Sequence, residues 1–183
     1  MEVPHWSSIH TLILDFDGVF TDNKVYLSED GIESVKLDRR DGLAFDLLKF
    51  FMKEKGWDLE IFVLSKEKNV VVQKRCKKLD INCFSGKKNK GEFIVSYLNE
   101  KFGESEISKK GVVFLGNDIN DLSAINVAGF SVAPSDSHQL VLNSVDLVLE
   151  NKGGDCFIRN FVEQLIQISE MGNNNLLLGM NIL

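Results

Sequence analysis

Two aspartates stand two residues apart in the run Leu14-Asp15-Phe16-Asp17-Gly18-Val19-Phe20-Thr21, where a β-forming stretch gives way to glycine. Neighbouring strand residues point to opposite faces, so Asp15 and Asp17 can serve one site. Two like charges in such a place are unfavourable unless a cation offsets them. Mg²⁺, which takes a few carboxylates together with water and phosphate oxygens, suits the pair. Gly18 lets the backbone come close to a ligand and aim amide hydrogens at an anion.

Three later positions carry compatible chemistry. Ser65 follows the apolar run Glu60 to Leu64, and its hydroxyl could bind a phosphate oxygen. Serine after a strand is more often a turn residue or helix cap. Lys90 opens a helical segment, where a cation opposes the macrodipole unless it faces an anion; Lys90, or else Lys88, is a candidate phosphate anchor. Gly116-Asn117-Asp118-Ile119-Asn120-Asp121 gathers oxygen-bearing side chains after the run Val112 to Leu115, suited to a hard cation or to an N-cap cluster. Phosphoryl transfer needs such a set: a carboxylate nucleophile, a metal, cationic anchors and hydrogen bonds to the equatorial oxygens.

The elements that must position these residues follow from periodicity. Short β-rich runs at 11–16, 60–64, 112–115, 130–133 and 146–149 alternate with stretches of helical period at 42–55, 67–79, 90–102 and from Asp155 onward. Alternation predicts an α/β fold, a doubly wound parallel sheet covered on both faces with right-handed crossovers. Ligands then sit at the carboxyl ends of the strands, where the candidate residues fall. Residues 24–37 break the pattern: Val25 and Leu27, then Val35 and Leu37, alternate with polar residues around Asp30-Gly31, which reads as a β-hairpin. A two-stranded ribbon is marginal alone, so it folds back on its own domain or associates between subunits.

Composition narrows the function classes. The chain of 183 residues is 44% hydrophobic and 26% charged, which fits one globular domain at 1–171 and a C-terminal tail at 172–183. With 27 acidic against 21 basic residues the net charge is −6, which argues against a nucleic-acid surface. The longest apolar runs are too short to span a bilayer, and the start lacks the pattern of a secretory signal, so a cytoplasmic location without membrane attachment is expected. Cys76, Cys83 and Cys156 show no paired spacing, and His5, His10 and His138 include no metal-binding pair.

As a set, these residues resemble the haloacid dehalogenase (HAD) superfamily of phosphatases: Asp15-Phe16-Asp17-Gly18-Val19 with Thr21 its first motif, Ser65 its second, Lys90 its third and Gly116-Asn117-Asp118 with Asp121 its fourth. The resemblance implies a Rossmann-like sheet in which Asp15 forms an aspartyl-phosphate. Asp17 would serve as acid and base, and Ser65 and Lys90 would bind phosphoryl oxygens. It also implies Mg²⁺ held by Asp15, the Asp17 carbonyl and a fourth-motif side chain, Asn117 or Asp118. Substrate contacts would come from Gly18 and Thr21.

The chain further resembles the nearly capless branch that includes 3-deoxy-manno-octulosonate 8-phosphate phosphatase, through the hairpin, Arg40-Asp41-Gly42 and Gly153-Gly154 with Arg159. That resemblance implies a homotetramer, with no large cap domain and a neighbouring subunit covering the site, and a small phosphorylated sugar acid as substrate. Glu67 with Lys78 is similar to members acting on sialic-acid-type nonulosonate 9-phosphates, where octulosonate enzymes carry Gly-Arg after the hydroxyl. Asn117, where the branch usually has Asp, resembles the phosphatase-like domain of animal sialic-acid cytidylyltransferases. It leaves open a second class of function, a catalytically weak or inactive oligomerisation module. A phosphoryl-accepting receiver domain is disfavoured, because receivers put the acceptor aspartate on a later strand and here that strand ends in Ser65.

Overall fold

The computed structural model describes residues 2–103 and 109–171. The tail expected at 172–183 lies outside the described residues. Six parallel strands form the sheet in the order β5-β4-β1-β6-β7-β8: β1 (Thr11–Leu14), β4 (Glu60–Leu64), β5 (Asn82–Phe84), β6 (Val112–Leu115), β7 (Phe130–Pro134) and β8 (Leu147–Leu149). All four residues of β1 and of β6 are buried, as strands covered on both faces require. The chain winds outward from β1 through β4 to β5, then crosses back to β6, so the topological switch falls beside β1.

Two apolar layers sandwich the sheet. On one face Leu12, Leu14 and Val113 pack with Ala44, Leu48 and Phe51 of α1 (Arg39–Lys55) and Phe157, Phe161 and Leu165 of α6 (Phe157–Leu165). On the other, Ile13, Phe62 and Phe114 pack with Ile94 and Leu98 of α3 (Lys90–Phe102) and Ala124 of α4 (Leu122–Ile125). A short helix α5 (Gln139–Leu142) closes that layer through Val141. Among the described residues no helix is long and apolar enough to cross a membrane.

Helix ends differ from the periodicity in ways the caps explain. α1 begins three residues before the apolar stripe because Asp38 caps it, accepting from Arg40 N at 2.8 Å. α2 (Val70–Leu79) begins three residues later than predicted because Asn69 is its N-cap, accepting from Val71 N at 2.9 Å. Residues 65–69 are thereby a loop that projects from the end of β4. The hairpin is a small separate sheet of β2 (Tyr26–Leu27) and β3 (Glu33–Ser34), and its base is closed by a bridge between Thr21 and Leu37. Tyr26 pairs with Ser34 and Leu27 with Glu33, so residues 25, 27, 33 and 35 share one face.

Candidate active site

β1 pairs with β4 on one side and β6 on the other, with Leu14 opposite Val63 and Leu115. That register brings the residues just after three strand ends to one rim. A cleft of about 640 Å³ opens there, lined by Asp15, Asp17, Ser65, Glu67 and Asp118. Val25, Glu33 and Val35 form a further wall, all on the same hairpin face. The hairpin thus folds back over the site of its own chain.

Lys90 lies beneath the cleft floor, fully buried, with Nζ 2.7 Å from Asp15 Oδ1 and 2.6 Å from Asp121 Oδ1. The two carboxylates are the anion that its place at a helix start required. Burial pushes the ammonium down, but Asp15 and Asp121 outweigh it and the net shift is upward. Asp15 moves the opposite way to an ordinary ion-paired aspartate. Burial raises its pKa most, the Asp121 charge raises it further, and Lys90 only partly opposes them. Two buried carboxylates share one buried ammonium, so the floor is short of positive charge.

Asp121 is the residue that strand-end reasoning left without a role. It is fully buried, and its Oδ2 accepts from Asn117 N at 2.9 Å and Asp118 N at 3.2 Å. One carboxylate therefore folds the fourth-motif loop and orients Lys90. The signal was its three-residue spacing from Asp118, since the two form a reciprocal capping box around the turn Ile119–Asp121.

Asp17 is partly exposed in the cleft and its carboxyl is raised, by burial first, then by the charge of Glu67, with Glu33 adding and Lys90 opposing. Ser65 is buried; its backbone is pinned by Phe84 O at 3.0 Å and Lys87 N at 3.1 Å. Its Oγ accepts from Glu67 N at 3.1 Å, which keeps the hydroxyl proton for a ligand.

Several expected roles need correction. Gly18 N–H donates to Thr21 Oγ1 at 3.1 Å, so it is not an anion-binding amide. Thr21 is fully buried and accepts from Asn23 N as well, which makes it a brace within the loop and no substrate contact. Gly18 is required for two other reasons: its φ is +85°, and a Cβ there would lie 1.9 Å from Asn117 Nδ2. Lys78 does not line the cleft; it is exposed in the last turn of α2, about 13 Å along the helix from the mouth.

The residues expected to hold the metal are Asp15, the Asp17 carbonyl and Asn117 or Asp118. Among the described residues no group of three or more His, Cys, Asp or Glu side chains is arranged to hold a metal. Asp118 turns its Oδ1 to Ile119 N at 2.7 Å, capping its own turn. Asp15, Asp17, Asn117 and Asp118 are thus not a carboxylate cage. Asn117 is buried and its Oδ1 has no hydrogen-bond partner. An orphaned amide oxygen in a pocket short of positive charge fits a hard cation.

The catalytic loop is held from behind. Gly154 N donates to Val19 O at 3.1 Å, and a Cβ on Gly153 would lie 2.0 Å from Gly18 O. This glycine pair leads into α6, whose start is tied to α1: Asp38 Oδ2 accepts from Cys156 N at 3.1 Å and Asp41 Oδ1 from Arg159 N at 2.9 Å. Arg40 bridges Asp38 and Asp155 at 2.5 and 2.6 Å. Arg40, Asp41 and Arg159 therefore support the site from outside it.

No protein-family model matches the chain. It is 30% identical over 160 residues to the 3-deoxy-D-manno-octulosonate 8-phosphate phosphatase of Escherichia coli K12, spanning 87% of this chain and 80% of that one. Among solved structures, the cobalt-bound form of the corresponding phosphatase from Haemophilus influenzae superposes with a TM-score of 0.78 at 26% identity, covering 94% of this chain and 98% of that one. The Moraxella catarrhalis phosphatase, in complex with a magnesium ion, a phosphate ion and a KDO molecule, shares the fold with a TM-score of 0.78 at 21% identity, covering 97% and 95%.

Proposed function

The chain belongs to the haloacid dehalogenase superfamily, in the branch of the 3-deoxy-D-manno-octulosonate 8-phosphate phosphatases, and is a phosphoric monoester hydrolase; we propose that it is a Mg²⁺-dependent phosphatase of 2-keto-3-deoxy sugar-acid phosphates. One observation carries the reading: Asp15 and Asp17 face one cleft with Ser65, while Lys90 is bonded to Asp15 from below.

The Asp15 carboxylate attacks phosphorus, and the bond to the leaving sugar oxygen breaks as the aspartyl-phosphate forms. Asp17, whose raised pKa favours the protonated carboxyl, gives its proton to that oxygen. It then takes a proton from the water that cleaves the acyl-phosphate. Lys90 and the Ser65 hydroxyl bind phosphoryl oxygens as charge moves onto them. Asp15, Asn117 Oδ1 and the Asp17 carbonyl would hold Mg²⁺, which supplies positive charge to the phosphoryl group.

Within the substrate class, the nonulosonate 9-phosphate is favoured because Glu67 lines the cleft beside Asp17. A carboxylate there offers an acceptor for the extra hydroxyls and repels a sugar carboxylate. Lys78 drops out of that argument. The octulosonate 8-phosphate is the second reading, favoured by the relatives' activity. Tyr26 and Ile32 of the hairpin are 60% and 64% exposed, which supports association into a homotetramer.

The test is phosphate release from both sugar-acid phosphates, with and without Mg²⁺, for the native chain, Asp15→Asn and Glu67→Arg. Turnover that needs Mg²⁺, vanishes in Asp15→Asn and shifts toward the 8-phosphate in Glu67→Arg supports the proposal. Persistent activity in Asp15→Asn would defeat the mechanism. Phosphate release from no sugar phosphate would instead support an assembly module.

A further inference from the structure

Asn69 makes two side-chain bonds in opposite directions. Its Oδ1 accepts from Val71 N at 2.9 Å and caps α2, while its Nδ2 donates to Glu33 Oε2 at 3.0 Å. Glu33 is on β3 of the hairpin, 36 residues away in sequence, and lines the cleft with Asn69 and Glu67. The cap is thus also a tie between the hairpin and the loop that carries Ser65 and Glu67.

Glu33 and Glu67 both act electrostatically on Asp17. An ionised carboxylate accepts hydrogen bonds and donates none. A phosphoryl group is excluded from the lip they form and goes to the floor, where Ser65 lies and Lys90 is buried beneath. What the lip can take is hydroxyl hydrogens.

We propose that Glu33 is a specificity-determining residue that accepts hydrogen bonds from the hydroxyl-rich part of the substrate, opposite Glu67, and that Asn69 is the positioning residue that holds it there. The inference rests on the phosphatase reading and deepens it. The enzyme selects phosphate esters whose carbons next to the phosphate carry hydroxyls, and it rejects those carrying a carboxylate there.

Asn69→Asp tests the tie while sparing the cap, because aspartate caps a helix as well as asparagine. It replaces the donor to Glu33 with a like charge. The double variant Asn69→Asp with Glu33→Gln restores a donor-acceptor pair with the roles exchanged. The readout is KM and kcat for the 9-phosphate, the 8-phosphate and p-nitrophenyl phosphate, which has no hydroxyls. Asn69→Asp should raise the ratio of sugar-ester KM to p-nitrophenyl phosphate KM about fivefold, the scale of one charge-assisted hydrogen bond in a partly exposed setting. The sugar-ester kcat should change less, and the double variant should recover most of the ratio. An unchanged ratio, a loss of kcat on all three esters alike, or no recovery in the double variant overturns the proposal. If the native chain turns over p-nitrophenyl phosphate but neither sugar acid, the sugar-acid reading fails by itself. The ratio measured with glucose 6-phosphate, a hydroxyl-rich ester without a carboxylate, then decides the role of Glu33.

Discussion

Replacing Asp41 with asparagine should make the protein more stable at neutral pH, although it removes an acidic group from the first turn of a helix. Asp41 is 1% exposed; its Oδ1 accepts from Arg159 N, and its Oδ2 is buried with no hydrogen-bond partner. Burial chiefly, and the nearby Asp38 charge, push its pKa up from 3.8 to about 6, against the backbone donors of α6 and the Arg40 charge. The folded state therefore holds the Asp41 proton more tightly than the unfolded chain does. Its contribution to stability is intact below pH 3.8 and is lost as pH rises through about 6. Above that pH, keeping the carboxylate ionised costs about 3 kcal/mol. Asparagine keeps the acceptor for Arg159 N and cannot ionise. Thermal melts of native chain and Asp41→Asn should nearly coincide near pH 4 and separate by about 6–12 °C at pH 8, the variant being higher. A gap that does not change with pH, or a variant less stable at pH 8, would refute the argument that burial of charge dominates at this cap.

Lys90→Met leaves Asp15 and Asp121 buried without their shared cation. Denaturant unfolding should show a loss of about 3–5 kcal/mol together with loss of turnover, and a loss below about 1 kcal/mol would contradict the burial of the triad. Tyr26→Glu places a charge on the outer hairpin face, so sedimentation should show the proposed homotetramer of the native chain replaced by smaller species in the variant; an equal mass for both would exclude the hairpin from an interface.

The sheet was readable because its strands are buried on both faces and so appear as short continuous apolar runs. β5 escaped because Asn82-Cys83-Phe84 is three residues at an exposed edge, carrying neither alternation nor a long run. The site was readable to the extent that strand ends are sites in this architecture, which picked out Asp15, Asp17, Ser65 and the residues after β6. Roles that depend on which atom bonds to which were not. Thr21 and Gly18 have the composition of a ligand-binding loop, yet they satisfy one another. Lys78 shares a sequence spacing with Glu67, but α2 starts at Val70, so the two are separated by most of a helix. Asp121 shows the converse: its local spacing marks a turn cap, but only the tertiary contact with Lys90 ties its carboxylate to the site.

The two roles proposed for the hairpin are compatible because a strand's side chains alternate. Val25, Glu33 and Val35 face the cleft, while Tyr26, Ile32 and Ser34 fall on the other face by the same register. A slip of one residue would exchange the faces, turning Glu33 outward and Tyr26 into the site. Within the chain the register is held by two paired residues on each strand, the turn bonds of Ser28 with Gly31 and Ile32, the Thr21–Leu37 bridge and the Glu33–Asn69 bond. Packing of Tyr26 and Ile32 against other subunits would add a further constraint from outside, because those residues can be buried there only in the present register. If the chain associates as proposed, assembly and substrate selection would be linked through this ribbon, since burial of its outer face would hold Glu33 toward the cleft.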